Sequence, residues 1–321
     1  MNINRKTAVR LFIAVAMTLC SWLGPAVASA ESTDYHRIVI LSDAHLPTTP
    51  RENADPAKQA RILAAKQKLL TDLNAWTDVG LVVATGDVVA SYGADGEYAA
   101  AREFFGGLIQ PQAFLVGNHD YIYSGRNEQY RLIRGDAAQR QAKLERFRQE
   151  FNQPQLYYTQ QRGRYLLVFL SADSLDSKVL CQFSHQQMTW LANVLAENKT
   201  RPTIIFAHAP LAGTLTNYNK NINTPSFIAQ PEQEIRQVLH KNPQVFLWVS
   251  GHTHTPPTNP DFAATINLYD GQVRNIHNPD LDREVIWTNS LYLYPDKVVI
   301  KTFRHSDQTW LDQLERTIEV Q

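Results

Sequence analysis

The chain has 321 residues, 44% of them hydrophobic and 19% charged, which is an ordinary globular composition with ample core for one large domain or two small ones. Its 31 basic and 31 acidic side chains cancel, so nothing in the charge marks a dominant nucleic-acid-binding surface. There are two cysteines, and only Cys181 lies beyond the first thirty residues, which leaves no internal disulfide for the mature chain.

The first thirty residues read as a secretory signal peptide. Arg5, Lys6 and Arg10 precede an apolar run from Leu11 to Leu23, and Ala28-Ser29-Ala30 supplies the small residues of a cleavage site. The run is short for a membrane span, and Met17-Thr18-Leu19 before Cys20 is a poor lipobox. Cleavage is expected after Ala30, leaving no stable membrane anchor and an exported, periplasmic or extracellular protein of residues 31–321.

Arg37 to Leu41 is a β-branched apolar run, a buried strand that ends in Ser42-Asp43-Ala44-His45. After a turn-rich loop from Pro47 to Asp55, Pro56 to Trp76 has helical spacing of Ile62, Leu63, Leu69, Leu70 and Leu73. Leu81 to Ala84 is a second strand, ending in Thr85-Gly86-Asp87; Glu97 to Phe105 is a helix closed by Gly106-Gly107. Ala113 to Val116 leads into Gly117-Asn118-His119-Asp120, a turn that presents polar side chains at a strand end. This βαβαβ rhythm implies a parallel sheet with right-handed crossovers, whose sites form at the carboxyl ends of the strands.

Residues 121–135 read as a polar loop, and Asp136 to Phe151 as a helix. Tyr165 to Leu170 is a buried strand, Ser184 to Asn198 a helix capped by Ser184, and Thr203 to Ala207 a strand that ends at His208. Leu211 to Gln230 lacks periodicity and reads as a long loop over the site. A short helix, Pro231 to His240, precedes a strand from Val245 to Val249 that ends Ser250-Gly251-His252-Thr253-His254. From about residue 260 the chain is β-rich, with strands at 285–287, 291–294, 298–300 and 317–320 separated by Asn-rich or Pro-Asp-Lys turns. These are expected to finish a second sheet of a single domain.

Five strand-end runs carry the chemistry: Asp43-x-His45, Gly86-Asp87, Gly117-Asn118-His119-Asp120, His208 and Gly251-His252-Thr253-His254. Carboxylate, imidazole and amide oxygen together suit Mn, Fe or Zn, and the absence of thiolates argues against a structural zinc site. The donors suffice for two divalent ions, with Asp87 on the central strand the natural bridge. Two such ions clamp an in-line displacement at phosphorus by an activated water. His119, one residue from the ligand Asn118, is left to serve the leaving group, with Asp120 to orient it.

These motifs, in this order, resemble the calcineurin-like metallophosphoesterase superfamily, whose pattern is D-x-H, G-D, G-N-H-D/E, a lone H, and G-H-x-H. The resemblance covers residues 38–254. It implies a four-layer α/β/β/α sandwich with two mixed sheets around a dinuclear metal site. By motif position one ion takes Asp43, His45, Asp87 and His254, the other takes Asp87, Asn118, His208 and His252, and His119 is the general acid or transition-state stabiliser. Ala90 stands where purple acid phosphatases carry a tyrosine ligand, and the second Asp-Arg pattern of the Ser/Thr protein phosphatases is missing. The Ser42-Asp43-x-His45-Leu46 start, the Glu97 to Phe104 helix and the Gly251 to His254 run look closest to cyclic-nucleotide and glycerophosphodiester-type phosphodiesterases.

The expected activity is therefore hydrolysis of a small phosphate ester, a diester before a monoester. The alternative is a non-catalytic member that binds a phosphorylated ligand, disfavoured by the complete ligand set and His119. His36, His185, His240, His277 and His305 lie outside any motif and read as surface or locally hydrogen-bonded side chains. Arg126, Arg131 and Arg134 read as a solvated face, with phosphate contact as the sharper alternative. Tyr121, Tyr123 and Tyr218 are set between packing and pocket lining, and Cys181 reads as a small, partly buried residue rather than a nucleophile.

Overall fold

The computed structural model describes residues 35–49 and 55–320; the signal peptide expected at residues 1–30 lies outside them. The elements are β1 (His36–Leu41), α1 (Pro56–Ala75), β2 (Val79–Ala84), α2 (Asp95–Gly106), β3 (Gln112–Phe114), α3 (Asn118–Tyr121), β4 (Tyr123–Arg126), β5 (Leu132–Arg134), α4 (Ala137–Glu150), β6 (Tyr158–Arg162) and β7 (Tyr165–Phe169). They continue with α5 (His185–Glu197), β8 (Thr203–Phe206), α6 (Glu232–His240), β9 (Val245–Ser250), β10 (Leu268–Tyr269), β11 (Val273–His277), β12 (Trp287–Leu293), β13 (Lys297–Arg304), β14 (Thr309–Trp310) and β15 (Arg316–Glu319).

Two sheets pack face to face. The first runs β14-β13-β12-β1-β2-β3, with β15 also on β13; the second runs β10-β11-β9-β8-β7-β6. Both are mixed: β1, β2 and β3 are parallel with β12 antiparallel to β1, and β7, β8, β9 and β11 are parallel with antiparallel edges.

The layering follows from side-chain alternation, since successive residues of a strand face opposite sides. In β1, Ile38 and Ile40 point into the core between the sheets, while Val39 and Leu41 point to the helix layer of α1, α2 and α4. In β8, Ile204 and Phe206 face that same central core, and Ile205 faces α5 and α6. Three apolar layers thus separate four layers of structure, the α/β/β/α sandwich that the motifs imply.

Helix starts follow local chemistry. Asp55, Asp136 and Ser184 cap α1, α4 and α5 by accepting from Ala57, Gln139 and Gln187 amides, and Pro56 occupies the first turn of α1.

Three expectations change. The C-terminal strands were expected to finish the second sheet; only β10 and β11 do so, and β12 to β15 return to the first and make β1 a central strand. The Asn-rich turn expected between the strands at 285–287 and 291–294, at Asn289 and Ser290, does not exist. Both residues lie within β12, because the Asn289 amide donates to His277 O (3.0 Å) and Asn278 Oδ1 (2.9 Å) and its oxygen accepts from Thr302 Oγ1 (2.7 Å). The polar loop 121–135 contains the β4–β5 hairpin, and polar Tyr158–Arg162 is an edge strand; neither carries the apolar alternation that reveals half-buried strands.

Candidate metal centre

All seven expected ligands converge beyond the carboxyl ends of β1, β2, β3, β8 and β9, where the backbone leaves the sheets. The turns are tight. Five of the seven ligands hold positive φ: Asp43 (51°), His45 (44°), Asp87 (50°), His252 (64°) and His254 (50°). Ten non-glycine residues do so among the described ones, so half of this strain lies in one place. Each such residue costs about 1–3 kcal/mol and persists only when its surroundings hold it. A Cβ on Gly251 would overlap Ser42 Oγ and Asp43 Oδ2, and one on Gly117 would overlap Asp87 Oδ1, so these glycines let two loops touch.

The inward-facing ligand atoms crowd one another. His208 Nε2 lies 3.3 Å from Asp87 Oδ2 and 3.3 Å from Asn118 Oδ1. His254 Nε2 lies 3.1 Å from Asp43 Oδ1 and 3.3 Å from His45 Nε2. The other ring nitrogen is held from behind in three cases: His208 Nδ1 meets Thr85 O (2.9 Å), His252 Nε2 meets Ser226 O (2.9 Å), and His254 Nδ1 faces Asp280 Oδ2 (3.5 Å). Such carbonyl and carboxylate partners fix the tautomer that leaves a lone pair for a metal. Buried nitrogen and oxygen donors that converge on one space need a metal cation, or protons in its place, among them, and that is how the cluster fits metal ions. The donor triads Asp43/His45/His254 and Asp43/Asp87/His208 each gather within 4.8 Å, and buried His45 Nδ1 has no hydrogen-bond partner among the described residues.

Electrostatics agree. The Asp43 and Asp87 carboxylates lie well below their usual range despite burial, held there by His254 and His208. Against burial, Asp87 pushes His208 up to about 9, and Asp43 with Asp280 pushes His254 up to about 9. Burial and the neighbouring imidazoles push His45 down to about 3 and His252 down to about 4. Cations and protons compete for this cluster.

Within the Asn118 turn the division of labour differs from expectation. His119 donates its backbone amide to Asp87 Oδ1 (2.8 Å), and its ring is oriented by Ser91 O at Nδ1 (3.0 Å), with Nε2 3.9 Å from Asp87 Oδ2. Asp120, expected to orient His119, instead accepts from the amides of Gly117 (2.8 Å), Asp87 (2.9 Å), Val88 (3.0 Å) and Val89 (3.2 Å). Its carboxylate ties the Asp87 loop to the Asn118 turn. Burial and Asp87 push it up to about 8, with the Gly117 and Val89 amides pulling the other way.

Several supporting residues were not visible in the sequence. Lys66, 2% exposed in α1, donates to Ala44 O (2.7 Å), Pro47 O (2.8 Å) and Asp282 (3.2 Å), so a buried ammonium braces the Asp43–His45 loop. Arg283 pairs with Asp280 and donates to His254 O (3.1 Å). Leu281 N donates to Ser42 O (3.1 Å), which seats this whole segment against β1's end. The charged run Asp280 to Glu284 around one apolar residue was the available signal; it resembles an ordinary surface loop.

Other candidates resolve into packing. Arg126 donates to Ser91 Oγ (2.8 Å) and Tyr130 O (2.7 Å), Arg134 to the carbonyls of Lys178 and Val179, and Arg131 is exposed. Tyr121 is buried core, Tyr123 tilts against His119 with ring centres 5.3 Å apart, and Tyr218 is exposed with its hydroxyl near Thr255. His277 is buried against Thr214 O, and His240 pairs with Asp270. The loop from Leu211 to Gln230 reaches the cluster through Ser226 and through Phe227, whose ring lies 4.9 Å from that of His252. A cavity of about 740 Å³ between α4 and α5 shares no lining residue with the cluster.

A family model described as calcineurin-like phosphoesterase matches residues 36–256. A dimetal phosphatase from Danio rerio is 15% identical, with 89% of this chain and 99% of that one covered and a TM-score of 0.59. A purple acid phosphatase from yellow lupin is 16% identical, with 89% of this chain and 54% of that one covered and a TM-score of 0.57. At these identities the likeness is one of fold. No curated protein matches the chain.

Proposed function

We propose, from the premise that the chain belongs to the calcineurin-like phosphoesterases, that it is an exported dinuclear-metal phosphodiesterase. The observation that carries this reading is the convergence of seven buried or half-buried donors with His119 beside them. One ion would be held by Asp43, His45, Asp87 and His254, the other by Asp87, Asn118, His208 and His252. Divalent Mn, Fe or Zn bound there would polarise the phosphoryl oxygens and lower the pKa of water at the site.

The protein's own groups do the rest. Asp87 lies near both halves: one carboxylate oxygen is 3.3 Å from His208 Nε2, and an oxygen gathers within 4.8 Å of a His45 nitrogen, while the His119 amide donates to Oδ1. With Nδ1 held by Ser91 O, the His119 ring presents Nε2 to the site and is 18% exposed, open enough to meet a leaving group. A proton on Nε2 passes to the departing alkoxide. Ala90 is fully buried where a tyrosine ligand would be needed for a purple acid phosphatase centre, so that chemistry is not proposed.

The preference for a diester rests on the cations. A dianionic monoester is best held by guanidinium or ammonium groups. Here the side chains of Arg126, Arg134 and Lys66 are engaged by protein oxygens. A monoanionic diester makes less demand on such groups. Manganese-loaded protein assayed in parallel on bis-p-nitrophenyl phosphate and p-nitrophenyl phosphate is expected to show the higher kcat/KM on the diester. The reverse order overturns the preference, and no turnover of either overturns the enzyme reading. Export is tested by the mass of the mature chain, which is expected to begin at Glu31. Among the described residues no helix is long and apolar enough to cross a membrane.

A further inference from the structure

Cys181 stands apart from the family's donor pattern. It lies in the loop between β7 and α5, 1% exposed, tied to the long loop by Gln230 N donating to its carbonyl (3.0 Å). Its sulfur gathers with one nitrogen each of His208 and His252, all within 4.8 Å of one another. All three residues are buried, so the group is shut off from water on the protein side. His252 gives Nε2 to Ser226 O, and its Nδ1 has no hydrogen-bond partner among the described residues. His208 has Nδ1 on Thr85 O and Nε2 toward Asp87 and Asn118. A buried thiol therefore sits beside the two imidazoles that belong to the second metal position and to no other.

We propose that Cys181 is a further ligand of the second metal position, adding a thiolate beside His208 and His252 to the Asp87, Asn118, His208 and His252 set, which then takes a soft or borderline cation such as zinc. The inference rests on the reading of the cluster as a dinuclear metal centre. As the metal–sulfur bond forms, the S–H bond breaks and its proton leaves to solvent, with no change of oxidation state. Thiolate donors favour zinc over manganese or magnesium, whereas the first position, with Asp43, His45, Asp87 and His254, has only oxygen and nitrogen donors. The two halves of the centre thus differ in softness, and the second selects its ion through a residue supplied by the loop before α5. Cys181 is 27 residues from His208 and 71 from His252, far outside any ligand spacing that a short motif reveals.

The test uses the full chain with Cys20→Ser, so that Cys181 is the sole thiol, stripped of metal and titrated with cobalt(II). Two equivalents are expected to bind, with a thiolate-to-cobalt charge-transfer band in the near ultraviolet from one of them. In a Cys181→Ser variant two equivalents still bind, the band is gone, and zinc affinity at one position falls about 10-fold or more with manganese affinity unchanged. Two bound equivalents without the band in the parent overturn the ligand assignment and leave the metal centre standing. No binding at all overturns the centre itself. X-ray absorption of the zinc-loaded parent needs no Cys181 variant: a sulfur scatterer at about 2.3 Å supports the proposal, and a first shell of nitrogen and oxygen alone refutes it.

Discussion

Where α1 packs against β12 and the end of β13, Asp72, His305 and Thr288 form a second carboxylate–imidazole cluster, made of the same kinds of residue as the metal centre. In it, His305 Nδ1 meets Asp72 Oδ2 at 2.9 Å, Thr288 Oγ1 meets His305 Nε2 at 3.0 Å, and Gln308 Nε2 donates to Asp72 Oδ1 at 2.7 Å. Every acceptor faces a donor. In the metal centre, ligand atoms crowd one another instead: His208 Nε2 against Asp87 and Asn118 oxygens, His45 Nε2 against His254 Nε2. The Asp72–His305–Thr288 chain even has the connectivity of a nucleophilic triad, but Thr288 is 0% exposed and no substrate reaches it. Residue types do not separate the two clusters. Crowded inward-facing donors, strained backbone and an opening to solvent do.

The largest effect that tests this contrast comes from His119→Ala. Turnover should fall about 10²- to 10⁴-fold with both metal equivalents retained, measured by kinetics and metal analysis on the same sample. Loss of metal with the imidazole would make His119 a ligand and erase the division drawn within the Asn118 turn. Asp120→Asn comes next. It replaces one acceptor oxygen by an amide that faces backbone N–H groups, so the Asp87 loop shifts, and kcat or metal affinity should drop about 10–100-fold. A variant with native activity would mean that the four amide contacts do not position Asp87.

The smallest effect belongs to the satisfied cluster. Burial, against the pull of Asp72, pushes His305 down to about 4 from 6.5, so it is neutral when folded and gains a proton on unfolding below pH 6.5. The stability it confers is complete above pH 6.5 and is lost as pH falls towards 4, on the order of 2–3 kcal/mol. Asp72 is also held low, by Gln308 and His305 against burial, and its contribution fades in the same direction. His305→Gln should therefore flatten the fall of the melting temperature between pH 6.5 and 4 while turnover at neutral pH stays native. A change in turnover would tie the two clusters together.

Much of this was legible because alternation and strand-end placement are local. Val39 against Ile40, or Ile204 against Ile205, assigns faces from neighbours in sequence, and each ligand run follows its own apolar strand. The ligand nitrogens of His45 and His254 could be matched because each motif is short and ordered. What escaped is non-local or conformational. Lys66 reads as one more exposed helix lysine until the Ala44 and Pro47 carbonyls close over it. Asp120 looks like a partner for the adjacent histidine, yet its carboxylate turns back to amides more than thirty residues earlier. Asn289 looks like a turn residue because its satisfying partners, at 278 and 302, come from other segments. The positive φ of five ligands has no sequence mark, since Asp and His tolerate that region without announcing it.

The antiparallel pairing of β12 with β1 also says something about the order in which the chain is made. Every expected ligand has been synthesised by residue 254, yet β1, which carries Asp43 and His45 at its end, then has a bare flank. Leu281 has not yet reached Ser42, and Asp282 has not reached Lys66. A nascent chain stalled before β12 would hold all the donors and lack the strand that seats two of them. The seating of Asp43 and His45 therefore depends on residues that follow the last ligand of the site in sequence.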